Sequence, residues 1–87
     1  MVVLRFFIEG CHNEKQVSRN DAEQFLQDQR GNVILRSGSS SASIVCSHTG
    51  DIKPYYVFDS KVHQIDGCLS ADVAIEMAEL SIMVDEA

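Results

Sequence analysis

One arginine stands where an arginine is expensive. Gly31-Asn32 is a turn signal, Val33-Ile34-Leu35 is an unbroken apolar run of the kind carried by a strand buried on both faces, and Arg36 follows directly. A guanidinium inside such a strand is costly unless a fixed anionic partner meets it. Behind it come Ser37-Gly38-Ser39-Ser40-Ser41, whose hydroxyls and closely spaced N–H groups suit the oxygens of a phosphate. The stretch reads as an arginine at the floor of an anion pocket with a polar, serine-rich loop over it. The competing reading is structural, because thirteen acids are available to pair with Arg36.

The other residues that could do chemistry offer less. Cys11-His12, Cys46-x-His48 and His63-x4-Cys68 invite a metal, but none has the Cys-x-x-Cys spacing of a zinc site and they spread over four elements. No metal and no cofactor is expected. A Cys/His nucleophile lacks a third group to orient its base, so no enzyme is expected either. A small redox protein using Cys46 or Cys68 is the enzymatic alternative.

The elements that must position Arg36 follow from periodicity. Residues 2–8 form a first strand and 10–16 a polar connection. Ser18 caps a helix with Asp21 three residues on, and Ala22, Phe25 and Leu26 give it a core face, with Gly31 as its stop. Strands over about 32–37 and 43–48 flank the serine loop, and His48-Thr49-Gly50-Asp51 turns the chain into a strand over 52–58. Pro54 within that strand belongs where the ladder is open or at an edge. Asp59-Ser60-Lys61 is a turn, Val62–Ile65 a short strand, and Asp66-Gly67 another turn. A last helix runs from about Ser70, its N-cap, to Val84. Leu69, Val73, Met77, Leu80 and Val84 form its core-facing stripe, widened by Ala71, Ile75, Ala78 and Ile82. The expectation is one α+β domain over 1–87, a central antiparallel sheet flanked by two helices.

Composition agrees with a small folded domain: 87 residues, 45% apolar and 23% charged. No run is long enough for a membrane span, and Arg5 interrupts the apolar N-terminus, so a strand is expected there rather than a signal peptide. A net charge of −6 argues against general nucleic-acid binding. Three cysteines, an odd count, are read as reduced thiols in a cytoplasmic protein.

Three pieces of the chain, in this order and spacing, resemble the Src homology 2 phosphotyrosine-binding domain. They are Val17-Ser18-Arg19-Asn20-Asp21-Ala22-Glu23-Gln24-Phe25-Leu26, Gly31-Asn32-Val33-Ile34-Leu35-Arg36, and Ile52-Lys53-Pro54-Tyr55-Tyr56-Val57. The likeness covers roughly residues 17–84. It implies that Arg36 pairs bidentately with the phosphate, that Arg19 touches the phosphate from the first helix, and that Ser39, Ser40, Ser41 and Ser43 line the pocket. It further implies that Lys53, Pro54, Tyr55 and Tyr56 lie under the peptide. The implied partners are tyrosine-phosphorylated proteins or peptides, held with relaxed sequence specificity. The chain departs from the pattern in three places: Pro54 stands where histidine is usual, Tyr56 where lysine is common, and His12 where tryptophan is usual. It also reaches Ala87 without the family's last loop and strand. A domain of this kind that has lost phosphate binding and serves as a packing or interaction module is the alternative.

Overall fold

The computed structural model describes residues 3–9, 13–47 and 52–86. The start of the first expected strand, Cys11, His12 and the expected turn over 48–51 lie outside the described residues. Among the described residues six strands and two helices follow in the order β1 (Arg5–Glu9), β2 (Glu14–Val17), α1 (Arg19–Gln27), β3 (Val33–Ser37), β4 (Ser40–Cys46), β5 (Tyr55–Phe58), β6 (Gln64–Cys68) and α2 (Ala71–Glu86). The strands pair antiparallel throughout in the order β2-β1-β3-β4-β5-β6. The chain is α+β, as its pattern predicts.

Alternation sets which face is covered. Val33, Leu35 and Ser37 on β3, Ala42, Ile44 and Cys46 on β4, and Tyr55 and Val57 on β5 are buried, whereas Ile34, Arg36, Ser41, Ser43, Tyr56 and Phe58 between them are only half so. The buried set forms one core with Ala22 and Leu26 of α1 and Ala74, Ile75, Ala78 and Ile82 of α2. Both helices therefore pack on the same face, and the sheet is covered on one side instead of being flanked. The Val33-Ile34-Leu35 run, expected to be buried on both faces, is completely buried only at Val33 and Leu35. Each such aliphatic side chain contributes about 1.5–3 kcal/mol by leaving water.

Local signals placed the helix starts well and the strand ends less so. The Ser18 hydroxyl accepts from the Asp21 N–H at 3.1 Å, and the Ser70 hydroxyl accepts from the Val73 N–H at 3.3 Å, so both expected N-caps are in place. The stop of α1 is not Gly31. Gln29 takes the left-handed conformation at φ 54°, and two bonds, Gln29 N–H to Leu26 O and Arg30 N–H to Phe25 O, close a Schellman cap around it. Gly31 serves packing instead: a Cβ there would lie 2.8 Å from the Glu9 carbonyl oxygen and 3.1 Å from the Phe25 ring.

Residues 14–16, expected as connection, form with Val17 the edge strand β2 against β1. Glu-Lys-Gln carries no apolar alternation because an edge strand over an open face buries little, so its pairing was invisible to periodicity. The serine loop is shorter than expected. Ser37 pairs with Ser40, leaving a two-residue turn of Gly38 and Ser39 with Gly38 at φ 57°, a position where hairpins of this length favour positive φ.

The third expected strand begins only after Pro54, whose carbonyl accepts from the Ser47 N–H at 2.7 Å, a role that needs no proline N–H. Asp66-Gly67 is not a turn but part of β6. A Cβ at Gly67 would stand 3.2 Å from the Tyr56 ring, so this glycine marks a close approach within a sheet.

Candidate functional site

Cross-strand partners share a face, and the register places four of the expected site residues, Arg36, Ser41, Ser43 and Tyr56, on the side of the sheet away from the helices. Arg36 pairs with Ser41, and Ser43 with Phe58. Two residue pairs along, Val45 meets Tyr56 on the same face. Phe7 and Ile34 continue this face onto β1 and β3.

The Arg36 side chain does not reach towards the serines. It crosses over β1, its guanidinium 5.0 Å from the centroid of the Phe7 ring, and donates two hydrogen bonds to Glu14 on β2, at 2.5 Å to Oε2 and 2.8 Å to Oε1. This is a fork-to-fork pair with a cation–π contact beneath it. The Arg36 hydrogen bonds hold the Glu14 carboxyl below its ordinary range, and Glu14 raises Arg36 in turn. The pair lies in the open, with the arginine side chain 42% exposed.

Arg19 goes elsewhere. It donates from the start of α1 to Asp72 at 3.3 Å and to Glu79 at 3.4 Å, both on α2, and lies 3.9 Å from Glu23. Burial works against its charge, but Glu79 and Asp72 outweigh that and hold it above its ordinary value. Arg19 thus ties the two helices together on the covered side of the sheet, while Arg36 works on the open side. The two arginines do not converge.

The remaining expected residues divide in the same way. Tyr55 is core, 7% exposed, and its hydroxyl donates to the Leu26 carbonyl at 3.3 Å. Ser39 sits in the turn, Ser40 opens β4, and Lys53 and Pro54 precede β5. Among the described residues no group of three His, Cys, Asp or Glu side chains is placed to hold a metal, and no helix is long and apolar enough to cross a membrane. Cys46 and Cys68 are buried free thiols, and burial pushes both upward.

A second surface was misread in the sequence. The stripe Leu69, Val73, Met77, Leu80 and Val84 was expected to face the core. The residues expected to widen it, Ala71, Ile75, Ala78 and Ile82, do face the core together with Ala74, and Met77 packs partly against it, but Leu69, Val73, Leu80 and Val84 stand 69%, 45%, 54% and 73% exposed. The small alanines let the α2 backbone come close to the sheet, which selects their stripe over the bulkier one. Leu80 forms a ridge between two shallow grooves. One, of about 330 Å³, is lined by Leu4, Glu76, Glu79, Leu80 and Met83. The other, of about 340 Å³, includes Asp59, Ile65, Met77, Val84 and Asp85. The available signal was that α2 is apolar on nearly all sides, a pattern expected of a helix that is covered all round.

No protein-family model, curated protein or solved structure matches this chain. The Src homology 2 likeness accordingly rests on the three sequence pieces alone.

Proposed function

We propose that this chain is a non-enzymatic protein-interaction module that engages its partner through the outward face of α2. The observation that carries this reading is the exposed row Val73, Leu80, Met83 and Val84 on a helix whose other side already fills the core. Polar groups can be satisfied within one chain, but an apolar surface is relieved only by being covered, and contiguous exposed apolar surface marks interaction sites. The buried thiols suit a non-enzymatic role. Alkylation of Cys46 and Cys68 in the native chain near neutral pH should be slow, and fast alkylation would favour the redox alternative. A dye that brightens on apolar surface should bind the native chain and lose most of that binding in Leu80→Asp. Equal binding by the two proteins would overturn the assignment of this face.

A second reading keeps the Src homology 2 likeness, with phosphotyrosine on a partner as the ligand. What supports it is the Arg36 fork already holding an anion in bidentate geometry on an open face that also carries Ser41, Ser43 and Tyr56. A phosphate dianion would have to displace Glu14 and do without Arg19. Arg36 and Arg19 lie on opposite sides of the sheet, each with its own acids, which favours the interaction module without a phosphate socket. Titration with paired tyrosine peptides, phosphorylated and not, separates the two. The first reading expects neither to bind. Phosphate-dependent binding that strengthens in Glu14→Gln and disappears in Arg36→Ala would establish the second, with about 2–5 kcal/mol lost on removing Arg36.

A further inference from the structure

Resting on the first of these readings, we propose that the outward face of α2 receives a basic amphipathic helix from a different protein. Three features of the helix point to that occupant. Val73, Leu80 and Val84, with Met77 half-buried against the core between them, recur at intervals of four, three and four residues, the spacing of an apolar seam that meets another helix. The grooves on either side of Leu80 offer seats for anchors spaced three or four residues apart on the incoming helix. A helix of 16 residues presents a seam roughly 24 Å long.

The charges choose the sign of the partner. Asp72, Glu76, Glu79, Asp85 and Glu86 are the charged residues of α2, and it carries no lysine or arginine. Glu76 and Glu79 border one groove, Asp59 and Asp85 the other, and among the described residues no basic one lines either. Asp72 and Glu79 are partly answered by Arg19. Asp85 stands in the last turn of α2, where the helix dipole disfavours negative charge and favours cations. Lysines or arginines flanking the apolar anchors of a partner would meet these acids and relieve that end of the helix. A second copy of this chain would bring one all-acidic helix against another, with like charges facing across the seam.

The test uses the full chain and two model peptides of 18 residues with identical leucine positions, one with lysines on its flanks and one with glutamates. Binding is followed by fluorescence anisotropy, and self-association by sedimentation. The lysine peptide should bind the wild-type chain at least tenfold more tightly than the glutamate peptide. Its affinity should fall at least tenfold in Leu80→Asp, although that change adds a negative charge, and also in the double variant Glu76→Lys with Asp85→Lys. All three positions are exposed, so the fold should tolerate the changes, which circular dichroism checks. Equal affinity for the two peptides would overturn the basic partner and leave the interaction face standing. Loss of both would remove the face as well. Undiminished binding by Leu80→Asp would reduce the effect to bulk electrostatics and overturn the seam. A dimer abolished by Leu80→Asp would make a second copy the occupant and overturn the proposal.

Discussion

The open face of the sheet and the outward face of α2 are both left uncovered by the described residues, yet in opposite chemical states. On the sheet, Arg36 has found Glu14 and lies over Phe7. Among the described residues no buried side-chain nitrogen or oxygen lacks a partner. On α2, Val73, Leu80, Met83 and Val84 meet solvent. The contrast shows why a charged residue in a strand was the weaker guide to function. A charge recruits an acid from its own chain, and the surface is then complete. Branched apolar side chains on the outside of a helix recruit nothing from the chain that carries them.

The sharpest way to break the comparison is to truncate the two sides of α2. Ile75→Ala, on the covered side with no exposure, should cost about 2–5 kcal/mol in a urea unfolding titration. Leu80→Ala should stay within about 0.5 kcal/mol of wild type. Similar costs for both would place Leu80 inside the core of this chain and remove the distinction between the faces.

A smaller effect tests the packing that holds β1 against α1, and with it the platform beneath the Arg36–Glu14 pair. Gly31→Ala would press a methyl group on the Glu9 carbonyl and the Phe25 ring, and should destabilise by about 1–3 kcal/mol. No loss would mean that Gly31 acts only as a turn residue. Tyr55→Phe removes the hydroxyl that donates to Leu26 O and should cost about 0.5–1.5 kcal/mol. A neutral result would move that hydroxyl back towards solvent.

The smallest effect concerns the ion pair itself. Glu14 is lowered in the folded chain by its hydrogen bonds from Arg36. A carboxyl lowered on folding stabilises above its unfolded pKa, and that stabilisation is lost as pH falls through the folded value. Asp59, lowered chiefly by the His63 backbone N–H, adds in the same direction. Unfolding midpoints should therefore be level near neutrality and decline below the ordinary carboxylate range, less steeply in Glu14→Gln. Identical profiles for that variant and wild type would show that the exposed pair contributes nothing measurable, as many surface pairs do.

Much of the fold was legible because its signals are local. Ser18 and Ser70 cap helices through atoms three residues away, β3 and β5 show themselves as short apolar runs, and β4 as an alternation. What escaped depended on partners distant in the chain. β2 is a strand because β1 lies beside it, and its polar composition gave no sign of that. Gly67 looked like a turn residue until the Tyr56 ring was found against it. At the candidate site, an acid partner for Arg36 was legible as one of two readings, but Glu14 was hidden in a stretch taken for a connection.

By itself the sequence determined an α+β chain, two capped helices, an acidic surface and an arginine in need of an anion. Only the tertiary structure decided which anion, which side of the sheet each arginine serves and which stripe of α2 is buried. The reason is that periodicity counts apolar residues along an element without ranking the faces they form. Where a helix offers two apolar faces, the sheet takes the one that lets backbones approach, and on α2 that is the alanine face. The bulkier face is left outward.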